Sequence, residues 1–453
     1  MFDEGEVDQG PLVRGGRWSH ERWWYKLAQV CRRWRCLLLV SAQYLRLCHL
    51  CTYGTPIVEV LAHSPPLPLV VDHMEGDVTM GTKDEHGVLL ALQHCHRVRR
   101  IRLHVPLQSL RKFIAAMGKE FPILEFLYVA LPEGHNTTLI LPETFQGPRL
   151  CHLALIQHFN FPIGSPIFAT ATGLVTLALE SVMVHPSIHS HFHKFLQRLS
   201  LMSQLRKLKI TFRTPLTDDD TEERPSHVPT VTNVTLPKLQ WLGFKGTSAC
   251  MEKLLPCITA PLLAKLDVIF DDGLPSSVPY LLHAISSTGN LRFSKAYVGF
   301  HEEHVDVTAY RNKKAKTYTL GIRVTCGELD TQIASAAQIF NTLRELFSST
   351  ERLFFRCTRS IEWWRVFIHA NRTQWHDLLR SFNTVKTLRV PQPLVTELSD
   401  ALQVHDEELP TELLPELNVL IFSPDGDPDN EFVSFIDSRK NVGRPVTLIR
   451  RGW

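Results

Sequence analysis

The sequence predicts an α/β solenoid, in which short parallel strands line one face and helical segments close the other. Three observations favour this fold class. A short apolar phrase recurs along the chain, prolines precede several of its copies, and stretches of helical periodicity separate them. The 453-residue chain is 44% hydrophobic and 21% charged, so it carries enough apolar material for a long core.

The recurring phrase has apolar residues at its first, fourth and sixth positions. Its copies start at Val98, Leu124, Leu150, Leu174, Leu205, Leu239 and Leu263, and again at Val385 and Leu417. The first seven starts lie roughly 24–34 residues apart, whereas leucine-rich repeats ordinarily run about 20–29 residues. In such repeats the three apolar side chains point inward from a short parallel strand, and neighbouring repeats bury them. The pattern therefore predicts an irregular leucine-rich-repeat-like domain over residues 45–451.

Proline and helical periodicity mark the connections between these strands. Proline precedes five copies of the phrase, at Pro122, Pro148, Pro237, Pro261 and Pro415. Because proline fixes φ and has no amide donor, it suits a turn that leads into a short strand. Apolar residues at helical spacing predict helices over 107–120, 191–202, 249–255, 278–287 and 332–348. The same spacing predicts core positions at Trp375, Leu378, Leu379 and Phe382.

Three segments depart from the repeating pattern. Residues 214–232 are rich in Asp, Glu, Thr, Ser and Pro, which predicts a loop insertion. Residues 301–317 alternate in charge and predict a second insertion, with a hairpin as the alternative interpretation. Residues 1–22 contain scattered glycines and no apolar periodicity, so we expect a disordered tail.

Residues 23–44 form a helical segment ahead of the array. One stripe of a continuous α-helix collects its apolar side chains, at Trp23, Leu27, Val30, Cys31, Trp34 and Leu38. Periodicity alone predicts a terminal amphipathic helix that packs on the rest of the chain. The order Leu27-x-x-Val30-Cys31-Arg32-x-Trp34 also resembles the last helix of an F-box domain.

Together with the array, this helix resembles the leucine-rich F-box proteins of mushroom-forming fungi, over residues 23–451. The resemblance implies a substrate receptor of a Skp1–cullin–F-box ubiquitin ligase, in the cytoplasm or nucleus. In such a protein the helix that carries Leu27, Val30, Cys31 and Trp34 docks the Skp1 adaptor. The array holds an unknown protein substrate, and tethering raises the effective concentration of the two partners without bond chemistry.

Only part of an F-box is recognisable in this chain. The domain usually opens with a leucine-proline pair and a hydrophobic helix, and residues 1–22 contain neither. We therefore expect weak or absent Skp1 binding, and clear binding for a longer product that restores the opening. The stripe either packs onto the first repeat or stays partly exposed. The alternative function is a leucine-rich-repeat binding or scaffold protein with no ligase attached.

Residues that could carry chemistry lack the groups that the chemistry requires. Cys48 and Cys51 have the spacing of zinc ligands, but no second close pair follows. A strand better explains the adjacent alternation of Leu45, Leu47, His49 and Cys51. The histidines at 185, 189, 191 and 193 lack the glutamate of a metalloprotease helix. The run 94–96 (His-Cys-His) has no recognisable third catalytic group. We expect no metal, no cofactor and no enzymatic activity.

Composition narrows the class of partner. The net charge of +3 favours neither nucleic acid nor a membrane surface, and no apolar run approaches the ~20 residues of a membrane-spanning helix. The ten scattered cysteines suit reduced thiols of an intracellular protein. Trp363 and Trp364 lie between the later repeats and are possible anchors for a protein partner.

Overall fold

The computed structural model describes most of the chain, in segments separated by gaps. These segments are 23–41, 47–63, 65–74, 80–132, 139–157, 165–183, 188–213, 233–273, 292–312, 315, 318–357, 372–402, 413–422 and 432–450. Within them the fold is α/β with mostly parallel strands, as the sequence predicts. The chain divides into two compact units, residues 1–239 and 240–453.

In the first unit, parallel strands lie side by side in chain order. They are β1 (His49–Cys51), β2 (Leu69–His73), β3 (Val98–His104), β4 (Phe126–Ala130), β5 (His152–Ile156), β6 (Thr176–Met183) and β7 (Lys207–Arg213), followed by the short β8 (Val234–Thr235). The helices are α1 (Trp23–Val30), α2 (Arg32–Val40), α3 (Ile57–His63), α4 (Thr82–Gln93), α5 (Leu107–Ala116), α6 (Ile167–Thr170) and α7 (Ile188–Leu199).

The second unit departs from chain order in its middle. Its strands are β9 (Trp241–Gly246), β10 (Ile258–Thr259), β11 (Lys265–Phe270), β12 (Lys295–Phe300), β13 (His304–Tyr310), β14 (Leu320–Thr325), β15 (Arg352–Cys357), β16 (Thr387–Val390), β17 (Val419–Phe422) and β18 (Thr447–Arg450). All of these strands except β10 lie side by side, in the order β9-β11-β14-β13-β12-β15-β16-β17-β18. In this order β13 is antiparallel to both neighbours, and the other pairings are parallel.

Helices of the second unit connect these strands. They are α8 (Ser248–Leu254), α9 (Leu329–Thr342), α10 (Arg344–Phe347), α11 (Arg372–Leu379), α12 (Val395–Leu402) and α13 (Val433–Asn441), with single 3₁₀ turns at Leu255–Cys257 and Gln392–Leu394. The predicted helix 332–348 is divided, because Leu343 leaves helical geometry between α9 and α10. The predicted helix 278–287 lies outside the described residues.

The same β-turn precedes eight of the described strands and explains the prolines. The N–H of the first residue in each phrase donates to the carbonyl three residues earlier, over 3.0–3.3 Å, in the copies that start at Val98, Leu124, Leu150, Leu174, Leu205, Leu239, Leu263 and Leu417. In five copies proline occupies the second position of this turn, where its fixed φ is favoured. The turn therefore places a leucine, or Val98 in the first copy, at the same point of each of these eight repeats.

The leucines at the fourth position of the phrase are aligned across neighbouring strands. Leu127 pairs with Leu153, Leu153 with Leu177, and Leu177 with Leu208. Leu242 pairs with Leu266 in the second unit. All of these side chains are buried, and so are the predicted core residues Trp375, Leu378, Leu379 and Phe382. The predicted register of buried leucines on parallel strands is confirmed.

The segment 301–317 corrects one expectation. Instead of a loop insertion, it contains β13, which forms a hairpin with β12 and then pairs with β14. The physical reason is a period-two pattern, in which Val305, Val307 and Ala309 are buried and the residues between them are half-buried. The hairpin interpretation is therefore the right one. The insertion predicted at 214–232 lies outside the described residues.

His73 is a titratable group inside the core of the first unit. It ends β2, is fully buried, and contacts the ring of Tyr53 edge to face at a centroid distance of 4.5 Å. Neither ring nitrogen has a hydrogen-bond partner among the described residues. Burial lowers the pKa of His73 to about 4, against a smaller opposing effect of Asp84. The folded chain therefore holds this imidazole neutral.

Replacement of Leu177 by alanine tests the buried leucine register. Removal of a fully buried leucine side chain should lower the free energy of unfolding by about 2–5 kcal/mol, because it leaves a cavity between β5 and β7. Urea unfolding followed by circular dichroism measures the change. Leu201→Ala, at a residue that is 48% exposed, is the control and should change stability by less than about 0.5 kcal/mol. Equal effects of the two variants would contradict the assigned core.

The burial of His73 predicts a pH dependence of stability. Because its pKa is near 4 when folded and about 6.5 when unfolded, the unfolded chain binds the proton more tightly. Stability is lost as pH falls from about 6.5 to about 4, by about 3 kcal/mol in total. His73→Phe should reduce this loss, measured as unfolding free energy at neutral and acid pH. The exposed His193→Phe should leave it unchanged.

Candidate functional site

The N-terminal helical segment is interrupted at Cys31. The sequence predicts one continuous stripe, but Cys31 is extended (φ −161°, ψ 167°) and separates α1 from α2. Its thiol sulfur accepts a hydrogen bond from the N–H of Trp34 at 3.5 Å and so caps α2. A side-chain acceptor at this position satisfies an amide that the helix itself leaves unpaired. The cap explains how the chain starts a second helix without proline or glycine.

The break divides the predicted stripe between a buried and an exposed group. Leu38 is buried with Leu47 and Leu67, and Leu27 packs against them. Leu39 also packs against this cluster. Four large apolar side chains of the segment are exposed, and we call this set the N-terminal patch: Val30 (63%), Trp34 (48%), Leu37 (57%) and Val40 (84%). Of the four residues named by the F-box resemblance, Leu27 packs inward, while Val30, Cys31 and Trp34 are exposed.

Cations surround the start of α2. Arg32 and Arg33 lie in its first turn, both are exposed, and no acidic residue accompanies them there. Because the helix macrodipole is positive at this end, cations there are disfavoured by about 0.3–1 kcal/mol each. Acidic groups from a partner would offset this repulsion. The N-terminal patch therefore combines exposed apolar side chains with a local field that attracts anions.

The second unit presents a polar and aromatic face. Along its strands, residues alternate between the buried core and a half-buried outer side. We call this outer side the unit-2 polar face; its main residues are Trp241, Lys265, Asp267, Lys295, Tyr297, Tyr310, Tyr318, Phe354 and Arg356. Tyr297 stacks on Phe354 at a centroid distance of 4.8 Å.

Cations lie over the aromatic rings of this face. Lys265 Nζ is 4.0 Å from the ring centroid of Tyr318, and Lys295 Nζ is 4.2 Å from that of Tyr310. The Arg356 guanidinium is 4.1 Å from the ring of Tyr297. Such cation–π pairs stabilise by about 0.5–1 kcal/mol where exposed. They hold long cationic side chains in fixed positions, which lowers the entropic cost of binding a partner.

Tyr310 and Tyr318 of this face remain neutral at physiological pH. Burial raises the pKa of Tyr318, and the Asp267 carboxylate raises it further. Burial also raises the pKa of Tyr310, with Tyr297 adding to the effect. The phenols therefore contribute polar and aromatic contacts, while the charge comes from the lysines, arginines and Asp267. Such a surface suits recognition of a protein segment that carries aromatic and acidic side chains.

Cys48 immediately precedes β1 and Cys51 ends it. Cys48 and Cys51 are both buried, and β1 (His49–Cys51) confirms the strand predicted there. Burial raises the pKa of the Cys51 thiol to about 12, against the opposing effect of Arg97. The thiolate is the reactive form of cysteine, so a thiol that stays protonated is a poor nucleophile. No disulfide joins any of the ten cysteines, all of which lie in described segments.

The structure describes only some of the other residues that the sequence singled out. In the histidine group at 185–193, His193 is exposed on α7, and the side chains of the others are not described. Trp363 and Trp364, the possible partner anchors, lie outside the described residues. The run 94–96 forms a turn after α4.

One cluster was missed by sequence reasoning. His301, His304 and Asp306 come together around the turn between β12 and β13, with their ligand atoms within 4.8 Å of one another. The available signal was the order His-x-x-His-x-Asp inside a segment that was expected to be a loop. Whether these three side chains come close together depends on the pairing register of β12 and β13, which the alternating charges alone do not determine.

A polar cleft of about 340 Å³ also occurs in the second unit. Amide and charged side chains line it together with two leucines: Asn341, Arg344, Asp377, Arg380 and Asn383 are the polar ones. Asp377 pairs with Arg380 across 3.6 Å, so the carboxylate is already engaged. This lining provides no nucleophile and base within reach of each other, which disfavours a catalytic role for the cleft.

Comparison with known proteins finds no match: no family model matches the chain, and no curated protein does. Among the described residues, no helix combines the length and apolar character needed to cross a bilayer.

Thiol labelling separates the exposed from the buried cysteines. We expect a small alkylating reagent to modify Cys31 and Cys36 in the native protein, because both side chains are exposed. Cys51 should react only after unfolding, because it is buried and its thiol has a raised pKa. Peptide mapping by mass spectrometry after short labelling measures each site. Labelling of Cys51 as fast as Cys31 in the native protein would contradict the assigned burial.

Proposed function

We propose that this protein is a non-enzymatic receptor with leucine-rich-repeat-like strands, which joins a Skp1-type adaptor to a protein substrate of a ubiquitin ligase. The observation that carries the proposal is the N-terminal patch, whose order Val30-Cys31-Arg32-x-Trp34 resembles the last F-box helix. An exposed tryptophan and two neighbouring aliphatic side chains are typical of an interface centre that is buried in a complex.

The geometry of α2 supports docking of a partner at this point. Trp34, Leu37 and Val40 recur at three-residue spacing, so they lie on successive turns of one helix. Leu38 anchors the same helix in the buried cluster with Leu47 and Leu67. An anchored helix presents its exposed side chains in fixed positions, which lowers the ordering cost of association. The adjacent Arg32 and Arg33 favour an acidic partner surface.

The unit-2 polar face supports a separate role in substrate binding. Its cations are held over aromatic rings, so it offers fixed donors next to flat apolar surfaces. Tyrosine, tryptophan and arginine are the residues most often responsible for binding energy in protein interfaces. We propose that this face binds an acidic, aromatic-containing segment of the substrate.

Binding of purified Skp1 to the full chain tests the adaptor role. The patch is small, so we expect a weak complex with a Kd on the order of micromolar, measured by biolayer interferometry. Leu37→Glu should weaken binding at least about tenfold, because it places a charge in the apolar centre of the surface. Trp34→Ala should weaken it similarly by removing the aromatic anchor.

Leu262→Glu provides a matched control, because Leu262 is 59% exposed and Leu37 is 57% exposed. It should leave Skp1 binding unchanged. If Leu37→Glu and Leu262→Glu reduced Skp1 binding equally, the N-terminal patch would be excluded as the docking surface. No binding of Skp1 by the wild-type chain would refute the adaptor role and favour the alternative, a scaffold protein with no ligase attached.

A further inference from the structure

The hairpin between β12 and β13 collects three metal-ligating side chains. His301 follows β12, and His304 and Asp306 lie on β13. His301 Nε2 contacts Asp306 Oδ1, and the rings of His301 and His304 stack with centroids 4.2 Å apart at an angle of 15°. The ligand atoms of all three residues lie within 4.8 Å of one another.

Local backbone geometry explains why these side chains converge. The N–H of His301 donates to the carbonyl of His304 at 2.9 Å and closes the turn. Beyond the turn, Gly299 pairs with Asp306 in the antiparallel register. Because side chains two residues apart share a face of a strand, His304 and Asp306 project to the same side. The hairpin register therefore places two imidazoles beside one carboxylate.

A glycine makes space for the cluster. A Cβ atom at Gly299 would lie 2.5 Å from Asp306 Oδ1 and 2.9 Å from His301 Nε2. Those distances are too short for any side chain, so both ligand atoms occupy the space above this glycine. The φ angle of Gly299 does not require glycine, since it belongs to an ordinary strand. Its role here is to let polar side chains approach the backbone closely.

The backbone of the turn is held by a buried amide. Gln332 on α9 is fully buried, and its Nε2 donates to the carbonyls of His301 at 2.9 Å and of Cys326 at 2.8 Å. The N–H of Cys326 donates in turn to the carbonyl of Glu303 at 2.8 Å. The positions of the ligand-bearing residues are therefore fixed before any ion binds. Such support from outside the ligand set is typical of metal sites.

The chemistry of the donors selects the class of ion. Imidazole suits zinc and its transition-metal neighbours, whereas calcium and magnesium prefer sets made wholly of oxygen. Zinc bonds to nitrogen and oxygen are about 2.0–2.2 Å long, so binding of an ion requires the three side chains to turn toward one point. His301 and Asp306 are 25% and 24% exposed, so an ion has access from solvent. Three protein ligands leave one tetrahedral position for water.

We propose that His301, His304 and Asp306 form a three-ligand site for a divalent transition-metal ion of the Zn²⁺ class. The site lies on the unit-2 polar face but does not depend on the adaptor role proposed above. It requires only the hairpin, the space above Gly299 and the support from Gln332.

Titration of the metal-stripped full chain with Co²⁺ tests the site, because bound Co²⁺ absorbs visible light and Zn²⁺ displaces it. The wild-type chain should bind one more equivalent of Co²⁺ than either His304→Gln or Asp306→Asn. The difference in stoichiometry between wild type and variant is the readout, because it cancels any Co²⁺ held elsewhere on the chain. Asp306→Asn keeps the size of the side chain, and circular dichroism verifies that each variant is folded. Equal stoichiometry in wild type and both variants would overturn the proposal.

Two glycine variants separate a metal site from a general effect on the strands. Gly299→Ala should weaken binding about 10–100-fold, because the new methyl group displaces two ligand atoms. Gly321→Ala is the matched control: its Cβ would lie 2.7 Å from Asp267 Oδ1, on a nearby strand without the histidines. Gly321→Ala should bind Co²⁺ as tightly as the wild-type chain does, and so should His104→Gln. Equal loss in both glycine variants would show that disturbance of the strands, rather than the three ligands, explains the loss.

Discussion

The fold depends on one repeated interaction, the β-turn that buries a leucine immediately before a strand. Its hydrogen bond of 3.0–3.3 Å recurs before strands of both units. Next to it, the N–H of Glu125 donates to the carbonyl of Arg99, that of Cys151 to Glu125, and that of Val175 to Cys151. Each turn is therefore bonded to the turn of the preceding strand. Because a register slip of one residue would move every leucine to the outer face, the turns determine which side becomes the core.

The alternation of buried and outer residues along the strands explains why the core of the second unit accommodates a reversed strand. β13 is antiparallel to β12 and β14, yet Val305 and Val307 are buried beside Val324 and Ile322 of β14. An antiparallel strand preserves the alternation of buried and outer residues as well as a parallel one does. What changes is the outer side, where the short turn from β12 brings polar side chains of neighbouring strands close together. The polar cluster follows from the reversal, and the core is unaffected by it.

Sequence analysis predicted the parts of this structure that depend on spacing along the chain. The leucines at 127, 153 and 177, the prolines of the turns and the helical core around Trp375 all repeat a local pattern. It failed where the outcome depends on pairing between distant segments. The order β14-β13-β12 is decided by which strands meet, and the cluster of His301 and Asp306 is visible only in that register. The break at Cys31 was missed because a thiol is seldom expected to cap a helix.

Because residues alternate along the strands, the buried ones determine stability and the outer ones are available for contacts with a partner. Replacement of a buried leucine of the phrase costs about 2–5 kcal/mol, while surface changes usually cost less than about 0.5 kcal/mol. On β12, for example, Ala296 and Val298 belong to the core, whereas Lys295 and Tyr297 belong to the polar face. The outer residues can therefore change to suit a partner without loss of the fold. The N-terminal patch differs from this pattern: Leu38 anchors α2 in the buried cluster, but Leu37 and Val40 stay mostly exposed and gain less from folding than buried side chains do. Exposed apolar side chains of this kind are typical of surfaces that bind other proteins, and the proposed adaptor role rests on them.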